Sequence, residues 1–163
     1  MLIQTGQLIK CEKGQSLIEA LIALASGVVI ITAIAIAVIN SVNNADFAKN
    51  QNLATAYSQQ ALEVINVLRK NEWSSFSALS GNYCLDKDST TFYEAPVSGC
   101  SKNVDQFVRT VVITPNASNC SGGSRVRAST SWNDGKCTDP NDLYCHSVDL
   151  TSCITETYII PAP

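Results

Sequence analysis

Seven cysteines are the residues of this 163-residue chain best suited to chemistry. One of them, Cys11, lies near the start of the chain. The other six all follow Asn82: Cys84, Cys100, Cys120, Cys137, Cys145 and Cys153. No two of them form a CxxC pair and the chain has a single histidine, so the spacing does not indicate a structural zinc site. An even number of cysteines in a small domain predicts disulfides formed in an oxidising compartment.

The single histidine, His146, follows Cys145 directly. A Ser–His or Cys–His catalytic site would need this histidine, and no further residue in the sequence marks such a site. We therefore expect the C-terminal domain to have no enzymatic activity.

The segment 134–142, with the sequence DGKCTDPND, is rich in side-chain oxygens. Asp134, Asp139, Asn141 and Asp142 could supply part of the roughly six to eight oxygen ligands that calcium takes. The spacing differs from an EF-hand, and Asp, Asn, Gly and Pro are also ordinary turn residues. A calcium site and a plain turn are therefore both open, and no other cofactor is expected.

Three arginines, Arg109, Arg125 and Arg127, fall in predicted strands and would form a small basic patch on an exposed sheet face. Such a patch could contact DNA. However, exposed strands commonly carry charge and the formal net charge of the chain is −3. A nucleic-acid partner is therefore not expected.

An apolar run from Leu17 to Ile39 dominates the N-terminal part of the chain, and Glu19 is its only charged residue. As a helix this run would be roughly 35 Å long, enough to cross a bilayer. Lys10 and Lys13 precede it, and positive residues favour the cytoplasmic side of a membrane. The rest of the chain should then lie outside, which agrees with the predicted disulfides.

The sequence KGQSLIE at residues 13–19 resembles the signal of type IV pilins and pseudopilins. In that family a glycine precedes the cut made by prepilin peptidase, and two variable positions, Leu-Ile-Glu and a long apolar helix follow it. The resemblance implies that residues 1–14 are a leader removed after Gly14, with Gln15 as the new, N-methylated terminus. Gln15 stands where the family usually has Phe or Met, and the span lacks a proline, which favours a minor pilin or pseudopilin.

The resemblance also gives Glu19 a role. In a fibre core an unpaired carboxylate is costly, and the amino group of a neighbouring subunit's Gln15 could pair with it and set the axial register. The alternative is that Glu19 extends to the lipid headgroups. The implied partners are other pilin subunits, prepilin peptidase, the membrane assembly platform and, before assembly, the lipid bilayer.

The rest of the chain predicts an α+β fold, and the resemblance implies the same architecture, the long N-terminal helix on a small antiparallel sheet of type IV pilins. Residues 15–40 form the membrane or fibre-core half of one helix and residues 41–72 its amphipathic half. The apolar stripe of the second half consists of Leu53, Tyr57, Ala61, Val64 and Leu68. The head, residues 73–163, comprises an irregular loop at 73–104 and an antiparallel meander within 105–160. Its strands are predicted at 106–114, 124–133 and 146–155, with a short terminal segment at 158–160.

The meander limits the disulfide pairing. Cys84 and Cys100 bracket the loop before the sheet, and Cys137 and Cys145 share the loop between the second and third strands. The remaining pair, Cys120–Cys153, would meet at one end of the sheet. We therefore predict Cys84–Cys100, Cys120–Cys153 and Cys137–Cys145. The alternative pairs Cys120 with Cys137 and Cys145 with Cys153.

Two functions follow from these features. The first is a structural subunit, a minor pilin or pseudopilin of a pilus, a type II secretion system or a DNA-uptake system. It would first be a single-pass protein of the cytoplasmic membrane and then part of a fibre at the cell surface. The second is a signal-anchored extracellular adhesin or ligand-binding domain that is not processed.

Overall fold

The computed structural model describes residues 15–133, 137 and 145–156. These residues form two helices and five strands. The elements are α1 Gln15–Asn71, α2 Trp73–Ser77, β1 Gly81–Cys84, β2 Tyr93–Glu94, β3 Val108–Pro115, β4 Gly123–Asn133 and β5 Cys145–Thr155. The chain divides into two compact units, residues 1–46 and 47–163, and the boundary falls within α1.

The strands form one antiparallel sheet in the order β2-β1-β3-β4-β5. The three long strands, β3 to β5, lie within one or two residues of their predicted bounds. Inward and outward side chains alternate along β3 and β4, as expected for strands with one face packed on a helix. The predicted α+β class is therefore confirmed. The predicted terminal segment at 158–160 lies outside the described residues.

The segment 73–104 differs from the irregular loop that the sequence predicted. It contains α2, β1 and β2, and these two strands extend the expected three-stranded sheet to five strands. β1 has only four residues, and its pairing with β3 places Asn82 opposite Val112. A strand this short has too few alternations to be seen in sequence, because its position depends on a partner far along the chain.

The part of α1 from Phe47 onwards packs on the inner face of the sheet. Its fully buried positions are Ala54, Ser58, Ala61 and Ile65. Of the predicted stripe only Ala61 is fully buried, and the other four members are half-buried. Small side chains lie at the centre of the contact because they let the helix backbone approach the sheet, and the larger ones pack at its margins.

A buried hydrogen bond joins this helix to the sheet. The hydroxyls of Ser58 and Thr130 are 2.8 Å apart, and both side chains are fully buried. A buried hydroxyl without a partner destabilises a fold, so this pair favours one alignment of α1 on β4.

Three disulfides close the loops of the head: Cys84–Cys100, Cys120–Cys153 and Cys137–Cys145. This is the pairing that the sequence predicted, and the alternative pairing is excluded. The first fastens the end of β1 to the loop before β3, and the second joins the β3–β4 loop to the end of β5.

Candidate functional site

The first half of α1 exposes its apolar surface. Residues 17–42 are all exposed apart from Gly27, which is half-buried. Exposure at the large side chains ranges from 54% at Val42 to 69% at Leu24. The helix is long and apolar enough to cross a membrane, which fits a single-pass anchor, although a signal sequence near the N-terminus has the same property.

Two hydroxyl groups within this apolar stretch, those of Ser26 and Thr32, are satisfied by the helix itself. Ser26 Oγ donates to the carbonyl of Ala23 at 2.9 Å. Thr32 Oγ1 donates to the carbonyls of Val28 and Val29 at 3.0 and 2.9 Å. Because both hydroxyls are bonded locally, neither needs water, and the stretch can enter an apolar environment at little cost.

Two of the three residues implied by the pilin resemblance can be located. Gln15 is the first residue of α1, and Glu19 lies one turn further along with its side chain exposed. Gly14 lies outside the described residues. Glu19 therefore stands at the beginning of the exposed apolar surface, and it is the only charged residue from Leu17 to Ile39.

The predicted basic patch is wrong for Arg109. Its side chain is fully buried beneath α1, on the opposite face of the sheet from Arg125 and Arg127. The register explains this placement. Arg109 pairs with the buried Thr130 and alternates in phase with Val111, so β3 directs it inward.

The buried guanidinium of Arg109 is held by neutral oxygens. Its Nε donates to the carbonyl of Leu85 at 2.9 Å and its Nη2 to the carbonyl of Asp86 at 2.6 Å. Its Nη1 donates to Gln60 Oε1 at 2.7 Å and to the carbonyl of Tyr57 at 3.2 Å. One side chain thus joins β3, the chain after β1 and two positions of α1.

Burial lowers the pKa of Arg109, and the negative charges of Asp86 and Asp88 oppose that shift.

Asn103 forms hydrogen bonds with the backbone at the same site. Its amide donates to the carbonyls of Leu85 and Arg109, and its Oδ1 accepts the backbone N–H of Arg109 at 2.7 Å. Because several donors and acceptors are satisfied together, we interpret this cluster as structural.

Arg125 and Arg127 do lie on the outer face of the sheet. Arg127 forms an ion pair with Asp149 at 2.8 Å, which raises the pKa of Arg127 and lowers that of Asp149. Arg125 Nη1 contacts Asn119 Oδ1 at 3.5 Å. Since one of the two guanidinium groups is neutralised, this face offers little positive charge for a nucleic acid.

A second charged cluster lies beside the Arg109 site. Lys87 and Asp105 form an ion pair at 2.9 Å, and Tyr57 donates its hydroxyl hydrogen to Asp105 at 3.1 Å. The hydrogen bonds from Lys87 and then Tyr57 lower the pKa of Asp105. Burial and the bond to Asp105 raise the pKa of Tyr57. The cluster stays in one charge state at neutral pH and has no group poised for proton transfer.

His146 is part of an aromatic cluster. Its ring lies 5.0 Å from that of Phe47 and 5.3 Å from that of Trp132. A cavity of about 380 Å³ adjoins Trp132 and His146 and reaches the Cys137–Cys145 disulfide. These contacts pack the His146 ring among aromatic side chains.

The calcium prediction concerns residues that are not described. Asp134, Asp139, Asn141 and Asp142 all lie outside the described residues. Among residues 15–133, 137 and 145–156, no group of three or more His, Cys, Asp or Glu side chains could hold a metal ion.

Comparison of the chain with known proteins found no matching family model, no matching curated protein and no matching solved structure.

Proposed function

We propose that this protein is a structural subunit, a minor pilin or pseudopilin, that is cleaved after Gly14 and assembled into a fibre through the first half of α1. The observation that carries the proposal is the exposed apolar surface of residues 17–42, which begins beside the single carboxylate of Glu19. The KGQSLIE sequence at residues 13–19 and its position at the start of that surface support the same function.

Exposed apolar surface of this extent requires a covering partner. Burial in a nonpolar environment is favourable by about 25 cal/mol per Å² of apolar surface. A lipid bilayer can cover the helix before assembly, and the equivalent helices of neighbouring subunits can cover it afterwards. Transfer of the helix from lipid to a bundle of neighbouring helices costs little free energy, because both surroundings are apolar.

Glu19 is the feature that a plain membrane anchor leaves unexplained. A charged side chain in an apolar environment costs several kcal/mol unless it is paired. Cleavage after Gly14 would create a positively charged amino group on Gln15. Glu19 lies only one turn away from it on the same helix. Between neighbouring subunits these two groups can pair and fix the axial offset.

The head is proposed to lie outside the cytoplasm. Lys10 and Lys13 precede the apolar surface, and positive residues are retained on the cytoplasmic side. The three disulfides of the head require an oxidising compartment. The proposed partners are other pilin subunits, the assembly platform and prepilin peptidase, of which the chain is a substrate and not an enzyme itself.

The N-terminus of the mature protein tests cleavage. In cells with an active prepilin peptidase, intact mass and N-terminal sequencing should give a chain that begins at Gln15, with or without one added methyl group. In cells without the peptidase the chain should keep Met1. If Met1 persists in both, the protein is an unprocessed anchored domain, such as an adhesin, and the proposal is wrong.

Substitution of Glu19 tests assembly separately from cleavage. Glu19→Ala should leave membrane insertion and cleavage intact and reduce incorporation into sheared fibres at least about tenfold, because one charge-assisted pair is lost for each subunit. Glu63→Ala is the matched control, since Glu63 lies on the exposed side of the same helix within the head. Equal incorporation of the two variants would contradict the role of Glu19.

A further inference from the structure

The chain continues beyond the end of β5, where the described residues leave a strand edge open. β5 pairs with β4 on one side, up to Thr155 opposite Gly123. In the part of the chain that the structure describes, no strand pairs with its other side. The last described residue is Glu156, and the sequence goes on with TYIIPAP at residues 157–163. This segment, the tail, is therefore joined directly to one end of the open edge.

The hydrogen bonds at the start of β4 show which groups of β5 point outward. The carbonyl of Gly123 accepts the N–H of Asn116, which follows the end of β3, so Gly123 directs this group towards β3. The opposite residue, Thr155, therefore directs its N–H and carbonyl away from β4. By alternation, the backbone groups of Cys153 and Thr151 point the same way. These three residues offer donors and acceptors to a further strand.

A buried donor lacks a partner at the place where the tail begins. Arg69 Nη1 donates to the carbonyl of Thr155 at 3.1 Å. Arg69 Nε is buried, and no described residue accepts a hydrogen bond from it. A buried N–H without an acceptor is costly, and native proteins rarely contain one. Because the guanidinium bonds to the last residue of β5, the chain that follows this residue can supply the missing oxygen.

The prolines of the tail select one register. Pro161 and Pro163 are two positions apart, so in a strand their nitrogens face the same side. Proline has no N–H, and it fits an edge strand where its nitrogen faces away from the neighbouring strand. Tyr158, Ile160 and Ala162 must then face β5. Proline is also one of the residues that protect sheet edges, and β5 contains none.

We propose that the tail turns back at Glu156 and Thr157 and pairs with the outer edge of β5 as a sixth, antiparallel strand. The hydrogen-bonded pairs are Thr155–Tyr158, Cys153–Ile160 and Thr151–Ala162. A two-residue turn is the commonest hairpin connection, and it leaves both prolines at non-hydrogen-bonded positions. An odd number of turn residues would place the prolines at bonded positions instead. The carbonyl of Thr155 has two lone pairs, so it can accept from both Arg69 and Tyr158.

This register also adds apolar side chains to the inner face of the sheet. Ile159 lies opposite Ile154, and Pro161 lies opposite Ser152, on the face that packs against α1. Ile154 is buried, whereas Ser152 and Leu150 are only half-buried along the open edge. The added strand covers this side of β5, so hydrophobic contacts stabilise the pairing together with the backbone hydrogen bonds.

The covalent connection favours the tail over a strand from a separate molecule. A short linker gives a tethered segment an effective concentration of about 1 mM or more at its site. Pairing along residues 151–155 needs roughly 14 Å of extended chain, which residues 158–162 provide. The tail thereby closes the edge within one chain, and the contacts between subunits in the proposed fibre are left to other surfaces such as α1.

Hydrogen exchange measures this pairing residue by residue. In the full-length protein in detergent, NMR should show exchange at least about tenfold slower at Cys153 and Thr151 than in a chain that ends at Glu156. Ser147 and Asp149 are internal controls, because their N–H groups point outward from the same strand beyond the paired residues, and they should exchange equally in both chains. Equal exchange at Cys153 in the two chains, or the same slowing at the control residues, would overturn the proposal.

Two proline substitutions in the full-length protein test the register. Ile160→Pro removes the N–H that donates to Cys153 and should abolish the slow exchange of the paired β5 amides. Ile159→Pro is the matched control, because its nitrogen faces outward like those of the tail's own prolines, and it should keep the exchange rates within about twofold. If both variants abolish the slow exchange, or neither does, the register is wrong. Neither measurement depends on cleavage after Gly14, so the test is independent of the function proposed above.

Discussion

Residues 17–42 and 47–71 of α1 differ in how they use apolar side chains. In the first segment Leu, Ile and Val side chains are exposed all around the helix. In the second, the fully buried positions are two alanines, a serine and one isoleucine, namely Ala54, Ala61, Ser58 and Ile65. The more hydrophobic segment thus buries less within the chain.

A strongly apolar helix segment needs a surface that covers it. Its hydrophobicity does not show whether that surface belongs to the same chain or to the surroundings. The head can accommodate small side chains and even a buried cation, Arg109, because α1 and the loop after β1 supply matching oxygens. The first segment has no such complement among the residues that the structure describes. Most of its side chains are aliphatic, which suits lipid or copies of the same helix.

The largest predicted effect comes from Arg109. Arg109→Met should lower the free energy of unfolding of the head by about 3–5 kcal/mol, because it removes the donors to Leu85, Asp86, Gln60 and Tyr57 and leaves buried oxygens unpaired. Urea unfolding followed by tryptophan fluorescence of the full-length protein in detergent measures this change. Arg125→Met, on the outer face, should change stability by less than about 0.5 kcal/mol. Equal stability of the two variants would show that the head does not depend on the buried cation.

A charge in the first segment should have nearly as large an effect, but on a different property. Ile31→Arg should disfavour membrane insertion by about 2.5–3.5 kcal/mol, because a guanidinium is placed near the middle of the apolar surface. The retained fraction after alkaline extraction of membranes measures this effect. Gln59→Arg, on the exposed side of the head segment, should leave both insertion and unfolding unchanged. Full retention of Ile31→Arg would mean that residues 17–42 are not covered by lipid.

One substitution made in both segments should give the smallest and most direct contrast. Ala61→Leu should destabilise the head by about 1–3 kcal/mol, because a fully buried position has no room for three more carbon atoms. Ala33→Leu adds the same atoms to an exposed position and should not change the unfolding of the head. Thermal unfolding of both variants makes the comparison, and a neutral Ala61→Leu would show that the helix can move away from the sheet.

Much of the fold could be predicted because its signals are local. The length of the apolar run, the alternation in β3, β4 and β5 and the positions of the cysteines each depend on short stretches of sequence. The disulfide pairing then followed from the order of strands. β1 was not predicted, because the position of its four residues is fixed by pairing with β3, some 30 positions later.

The error at Arg109 has a different origin. Alternation along β3 places it in phase with Val111 and Ile113, so the pattern alone puts it inside. The positive charge of Arg109 favours exposure, but the structure follows the alternation and buries it. The sequence does not show which carbonyl oxygens accept hydrogen bonds from the buried Arg109. These oxygens belong to α1 and to the chain after β1, which are distant from β3 in sequence.

The disulfides also limit how far the head can be stretched. A pull between α1 and the end of β5 could not lengthen the loops closed by Cys84–Cys100 and Cys120–Cys153, which span sequence separations of 16 and 33. At roughly 3.4 Å per extended residue, the larger loop alone withholds about 110 Å of chain. Cys137–Cys145 lies inside that loop and withholds nothing more. Tension would therefore pass through the Cys120–Cys153 bond and bypass β4 and most of β5, which lie inside the closed loop.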